Sequence, residues 1–263
     1  MRRKLRIREI LEGVKAGRLS LEEAEKLLKL LTIQEVGEAA KLDVGRELRR
    51  GVPEIIYAES KPKEHLIRIV SEASKERDRV IVSRLEPKLA KAIKEALGDV
   101  AVRYDEEARV MVVRKGRGVG EGGGRKVGLI TAGTADIPVA LEAKVAAEEL
   151  GCEVLTAFDV GVAGIHRLFD PLKRMIEESV DAIIVVAGME GALPSVVASL
   201  VDVPVIGVPT SVGYGLGKDG IGALTAMLQS CSLGLAVVNI DGGVAAGVFA
   251  ALIANRAAKA SLK

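Results

Sequence analysis

A chain of 263 residues, 49% hydrophobic and 28% charged, has the profile of a folded globular protein with room for one large domain or two ordinary ones. A net charge of +2 gives no reason to propose a nucleic-acid partner, and 2% aromatics with no Trp remove the stacking platforms that single strands need. Two cysteines make no disulfide framework, the apolar runs are broken short of a membrane span, and no apolar signal core follows the basic start, so we expect a cytoplasmic protein without a membrane partner.

Residues 1–50 read as helical and highly charged. Ile7, Ile10, Leu11 and Val14 recur at helical spacing, and Ser20 with Glu23 forms a capping box ahead of LEEAEKLLKLL. Arg46, Arg49 and Arg50 are placed to share one helix face; they offer forked donors to a phosphate or carboxylate, or simply line a solvated face. Residues 51–114 read as a small α/β domain. Its strands fall at 54–58, 80–83, 100–103 and 109–113, and its helices at 62–75 and 87–97. His65 has no ligand partner at helical spacing and is read as structural. Residues 115–125, KGRGVGEGGGR, have nothing to bury and read as a linker.

From Lys126 to the end the pattern becomes a regular alternation of strand and helix. Strands are expected at 127–131, 153–157, 182–187, 203–208 and 236–240, and helices at 137–150, 170–180, 193–200, 219–229 and 245–260. Parallel neighbours need crossover helices, so this alternation predicts an α/β fold with a doubly wound parallel sheet of five strands or slightly more. Ligands gather beyond the carboxyl ends of such strands, which names the loops of the site before anything is known of its ligand.

Gly133, Thr134 and Asp136 follow the first strand; the helix start there suits a phosphate, while Asp136 either caps the helix or touches the ligand. Asp159 and the His166–Arg167 pair follow the second, a combination suited to anion binding or proton transfer. Gly188, Met189 and Glu190 follow the third, where flanking glycines let a carboxylate approach a ligand closely. Ser211 and Tyr214 lie in a glycine- and hydroxyl-rich segment after the fourth, which reads as a pliable lid. Asp241 and Gly242 follow the last strand. Cys231 stands in the turn between helix 219–229 and the strand after it, outside any apolar run, whereas Cys152 near a strand start reads as a small core residue.

The segments GTADIPVA, GIHRL, AGMEGALPSVVASLVDVPVIGVPT and GGVAAGVFAALIA resemble the nucleotide-binding loops of the purine-synthesis carboxylase acting on aminoimidazole ribonucleotide. With RELRRGVPEIIYAESKPKEHL added, the chain from about Leu42 to Ala260 is similar to the LarB family, whose C-terminal domain is PurE-like, of flavodoxin-like topology. The resemblance implies carboxylation of the pyridinium ring of nicotinic acid adenine dinucleotide at C5, with release of AMP, in nickel-pincer nucleotide synthesis. It implies that Cys231 is the covalent nucleophile. A pyridinium ring is electron-poor and attacks CO2 only after a nucleophile has added to it, whereas an aminoimidazole needs no such help; thiolate adds and leaves readily. The purine enzyme has a Met-Pro pair in this turn, where this chain reads Gln229-Ser230-Cys231-Ser232. The position follows a helix C-terminus, whose dipole disfavours a thiolate, so a cation is needed beside it: the ring itself, His166 or Arg167.

By the same resemblance, Glu190 handles the C5 proton or orients CO2, and His166 matches the purine family's general acid/base in position. Thr134 and Asp136 hold ribose or phosphate, with Gly133, Arg167, Gly188, Met189, Ser211, Tyr214, Asp241 and Gly242 contributing to substrate binding. Mg2+ is expected at the pyrophosphate, CO2 as co-substrate, and a closed homo-oligomer built from dimers, up to an octamer. Two rivals predict different behaviour. A carboxylase or mutase acting on aminoimidazole ribonucleotide is indifferent to Cys231, and a non-catalytic nucleotide-binding module binds without turnover.

Overall fold

The computed structural model describes residues 7–30, 33–36, 40–43, 51–115 and 124–261. The chain divides into two compact units, 1–104 with 111–116, and 105–110 with 117–263. Arg46, Arg49 and Arg50 lie outside the described residues.

In the first unit, α1 (Ile7–Lys15) and α2 (Leu21–Leu30) form where apolar spacing and capping demand them. The Ser20 capping box is present: the Ser20 N–H donates to Glu23 Oε2 (2.9 Å) and the Glu23 N–H to Ser20 Oγ (3.1 Å). Residues 1–50 are not helical throughout, because β1 (Ile33–Val36) and β2 (Ala40–Asp43) pair antiparallel.

The small domain follows the predicted elements: β3 (Ile55–Tyr57), α3 (Lys63–Glu76), β4 (Arg79–Ser83), α4 (Pro87–Leu97), β5 (Ala101–Asp105) and β6 (Val110–Arg114). Its sheet runs in the order β3-β4-β6-β5, with β3 parallel and β6 antiparallel to β4. Leu66, Val70, Ile93, Val82 and Met111 close a single core between the helices and the sheet.

The second unit is built on five parallel strands, β7 (Lys126–Thr131), β8 (Glu153–Ala157), β9 (Ala182–Ala187), β10 (Val205–Pro209) and β11 (Leu235–Val237). Their order is β11-β10-β9-β7-β8. β9 and β10 are buried along their whole length, as continuous Ile/Val runs require. The crossovers are α5 (Ile137–Glu149), α6 (His166–Glu177), α7 (Leu193–Ala198) and α8 (Ile221–Leu228), and α9 (Gly243–Ser261) closes the chain. Numbered from its first strand, the order is 2-1-3-4-5, so the direction of winding reverses between β7 and β9. A crevice opens at such a reversal, because the two crossovers leave the adjacent strands in opposite directions.

Candidate active site

A cavity of about 290 Å³ occupies that crevice. The loop after β7 supplies Ala132, Gly133, Ala135 and Asp136, and the loop after β8 supplies Asp159, Gly161, Val162 and Ala163. Gly188, Met189, Glu190, Ala192 and Leu193 come from the loop after β9, Arg167 from the first turn of α6, and Val212 from beyond β10. Its apolar lining is alanine, valine, leucine and Met189; the polar groups that reach it are Asp136, Asp159, Arg167, Glu190 and glycine backbone.

Close approach of backbone makes this shape possible. A Cβ on Gly188 would lie 2.3 Å from the Val212 carbonyl oxygen, and one on Gly161 would lie 2.6 Å from that of Ala132. Both glycines are therefore demanded by steric contact between loops. The loops also carry left-handed backbone outside glycine, at Asp159 (φ 57°), Met189 (φ 53°) and Asp241 (φ 55°). Asp accepts that conformation readily, but Met does not, so the loop holds Met189 there at a cost. The bond from the Met189 N–H to the Val212 carbonyl (3.0 Å) secures it.

Asp136 is the most enclosed polar group of the cavity. Its Oδ2 accepts from the Gly133 N–H (2.9 Å) and its Oδ1 from the Thr210 hydroxyl (2.7 Å). Burial pushes its carboxyl above the ordinary carboxylate range, against the pull of the bonds from Thr210 and Gly133 and the effect of the Gly188 N–H; the Asp241 carboxylate pushes it further up. Across the cavity, Arg167 Nη1 donates to Asp159 Oδ2 (2.7 Å), and the Asp159 N–H donates to Thr131 Oγ1 (3.0 Å). Both members of this pair are partly exposed, so an incoming anion can compete for the guanidinium.

Of the residues singled out from sequence, the cavity brings together Gly133, Asp136, Arg167, Gly188, Met189 and Glu190. It does not include the others. Thr134 is exposed on the short 3₁₀ turn that leads into α5, and His166 is exposed at the first position of α6. Ser211 is exposed and its N–H donates to Asp241 Oδ1 (2.8 Å), while Tyr214 is exposed. Asp241 and Gly242 follow β11 at the carboxyl end of the sheet, where the Asp241 N–H donates to the Pro209 carbonyl (2.8 Å).

Cys231 is an exposed free thiol and does not line the cavity. Topology is the reason. A residue between a helix and the next parallel strand lies at the amino end of the sheet, whereas the cavity lies at the carboxyl end. The turn is pinned there by the Ser232 hydroxyl, which donates to the Ser195 carbonyl of α7 (2.8 Å). Sequence reasoning did not select Thr131, Thr210 or Val212. A Thr ending a strand has no motif to flag it, since its role depends on residues far away in the chain.

Among the described residues, no group of three His, Cys, Asp or Glu side chains is arranged to hold a metal ion. Two of the three carboxylates that line the cavity are already engaged, Asp159 by Arg167 and Asp136 by Gly133 and Thr210. No helix among the described residues is long and apolar enough to cross a membrane.

Comparison with known proteins agrees with this architecture. Residues 33–115 match the model of the LarB/PurE-like N-terminal domain, and residues 126–262 match that of AIR carboxylase. The chain is 49% identical to an uncharacterized protein of Methanocaldococcus jannaschii over 95% of its own length and 97% of that protein's. It is 31% identical to the N5-carboxyaminoimidazole ribonucleotide mutase of Thermotoga maritima, over 49% of this chain and 74% of that one. For the mutase of the same name from Methanocaldococcus jannaschii the identity is 34%, over 46% of this chain and 74% of that one. With a LarB/PurE-like domain followed by an AIR carboxylase domain on a five-stranded parallel sheet, this chain belongs to the LarB family, among enzymes of the carboxylase and mutase type.

Proposed function

We propose that this protein carboxylates the pyridinium ring of nicotinic acid adenine dinucleotide at C5 and hydrolyses its phosphoanhydride to release AMP, as a step of nickel-pincer nucleotide synthesis. The observation that carries the reading is the exposed free thiol of Cys231 in a chain whose cavity is lined by Glu190, Arg167 and apolar side chains. In the proposed reaction the Cys231 thiolate adds to a ring carbon, and the ring's electron pair passes through C5 to the carbon of CO2. Glu190 removes the C5 proton, and the ring nitrogen recovers its positive charge as the C–S bond breaks and thiolate leaves. Water supplies the oxygen and protons of the phosphoanhydride cleavage.

The apolar lining suits CO2 and the flat ring, Glu190 stands on its glycine-flanked loop, and Arg167 is the cation for a substrate carboxylate or phosphate. Mg2+ enters the proposal only as a companion of the substrate's phosphates, since the cavity offers it no ligand set. Cys231 and Glu190 lie toward opposite ends of one sheet, so the proposal includes a homo-oligomer in which Cys231 of one chain serves the cavity of the next. Exposed apolar side chains support such an assembly: Tyr214, Leu216, Ile221, Leu228 and Leu233 all face solvent, Leu216 and Leu233 at 104% and 91%.

The test is incubation with nicotinic acid adenine dinucleotide, Mg2+ and bicarbonate, with AMP and the carboxylated mononucleotide followed by mass spectrometry. The expected result is turnover by the native chain and a loss of at least ~1000-fold in Cys231→Ala. Turnover surviving in that variant removes the covalent step. The second reading, carboxylation or carboxyl migration on aminoimidazole ribonucleotide, is favoured by a cavity lining that does not include Cys231. It predicts activity on that nucleotide and no effect of Cys231→Ala.

A further inference from the structure

We propose that Thr210 is a positioning residue of the cavity: its hydroxyl holds the Asp136 carboxylate between the Gly133 and Gly188 loops, and so sets the shape in which the cavity takes a nucleotide. The inference rests on the nucleotide reading of the cavity given above.

Thr210 is fully buried and directly follows β10. Its N–H extends the ladder by donating to the Ala187 carbonyl (3.1 Å), which fixes its backbone against β9. Its hydroxyl is thereby aimed at Asp136, 74 positions earlier in the chain, at 2.7 Å. An ionised carboxylate only accepts, so the hydroxyl donates. The other oxygen of Asp136 takes the Gly133 N–H at 2.9 Å. One carboxylate thus joins the loop after β7 to the end of β10. The third loop is tied in by contact: a Cβ on Gly188 would lie 2.7 Å from Thr210 Oγ1, so the hydroxyl rests against the bare Cα of that glycine.

Thr210 does not line the cavity, whereas Asp136, Gly133 and Gly188 do. Any effect of Thr210 on a ligand therefore passes through them. Packing alone does not require a hydroxyl here, because Val has nearly the same shape. What Val lacks is the donor, and a 4% exposed carboxylate deprived of a donor is costly to keep charged. Beyond the Gly133 and Gly188 N–H groups, its charged neighbours are mostly negative. Asp241 is a negative neighbour, Asp159 and Glu190 bring two more carboxylates to the same cavity, and the guanidinium that lines it among the described residues, Arg167, is held by Asp159.

The experiment compares Thr210→Val, Thr210→Ser and Thr210→Cys with the native chain. The Asp136 carboxyl is followed by ¹³C NMR during a pH titration without ligand, and KM and kcat are measured on nicotinic acid adenine dinucleotide. In Thr210→Val, Asp136 is expected to titrate at higher pH, with KM raised about tenfold and kcat changed far less. Thr210→Ser is expected to stay within about twofold of native, and Thr210→Cys, a weak donor, to fall between. An Asp136 titration unmoved in Thr210→Val overturns the proposal, and so does a Ser variant as impaired as the Val variant, which would mean that the methyl contact matters and not the donor. If the Val variant does not fold, the Ser and Cys variants decide, since equal Asp136 titrations in those two also overturn it. The titration needs no substrate. A native chain that leaves nicotinic acid adenine dinucleotide untouched removes the functional reading and leaves this result standing.

Discussion

Two cysteines in this chain meet opposite conditions. Cys152 is buried, and burial pushes its thiol up to about 11 from an ordinary 9.0, with the Arg125 guanidinium pulling the other way. It stays a neutral, enclosed thiol at neutral pH. Cys231 is exposed. A thiol reagent at pH 7.5 is therefore expected to label Cys231 in the native protein and Cys152 only after denaturation, as mass mapping of the labelled peptides will report; native labelling of Cys152 contradicts the buried assignment. The sign for stability follows from the same shift. The unfolded thiol ionises first, so the contribution of Cys152 is present below 9.0 and lost as pH rises through about 11. Cys152→Ala should remove that part of the alkaline slope of stability. Gly188 is the other sensitive residue. Its Cβ position overlaps the Val212 carbonyl oxygen at 2.3 Å, and backbone cannot rotate away. Gly188→Ala is expected to cost about 1–3 kcal/mol, read as a lowered urea midpoint, and to abolish nucleotide binding, because the cavity wall is what must move.

Among the elements, α5 and α9 show how small residues set a helix spacing. A Cβ on Gly243 would lie 2.2 Å from the Val139 carbonyl oxygen, and one on Gly247 would lie 2.2 Å from that of Ala143. These glycines, one turn apart, let α9 lie directly on the α5 backbone. Ala is ordinarily the better helix former by about 1 kcal/mol. Here overpacking of about 1–3 kcal/mol outweighs that gain, so Gly247→Ala should lower Tm by several degrees in calorimetry. A Tm that rises instead means the helices have room to spare. Boundaries shifted where local signals compete with packing. Pro171 reads as a helix start, which places the onset of α6 near 170, yet the helix begins at His166 and carries Pro171 inside it. β11 is shorter than its apolar run because it pairs on one side only, and past Val237 it reaches β10 through single bonds from Val238 and Asp241.

For the molecule as a whole, strand order decides where chemistry is possible. The reversal between β7 and β9 makes the cavity, and parallel strands put the loops before them, Cys231 included, at the other end. If assembly unites Cys231 and Glu190, chains lacking one or the other should complement. Cys231→Ala and Glu190→Gln chains, each inactive alone, are expected to regain about a quarter of native activity when unfolded, mixed in equal amounts and refolded, since random assembly completes one site in four. No recovery, with mixed assemblies demonstrated by mass spectrometry, means that both residues act from the same chain.

The alternation of apolar runs and charged, capped helices by itself determined the α/β class, the parallel sheet and nearly every element of residues 51–115 and 126–261, because periodicity and caps act within a few residues. It also placed the loops after the strands at one end of the sheet, since the carboxyl ends of parallel strands lie together whatever their order; four of the five line the cavity, and the loop with Asp241 and Gly242 does not. It did not determine the pairing of β1 with β2, which no local turn signal marks in a charged stretch. Nor did it determine which loop residues enclose the cavity. Gly133, Asp136, Arg167, Gly188, Met189 and Glu190 do so, while Thr134, His166 and Tyr214 stand outside, because a side chain's direction depends on the φ of its own turn and on the loop opposite. Thr210 and the distance of Cys231 from the cavity were decided by tertiary structure alone. Both depend on how strands far apart in the chain are ordered and directed in one sheet, a property that no local pattern of residues encodes.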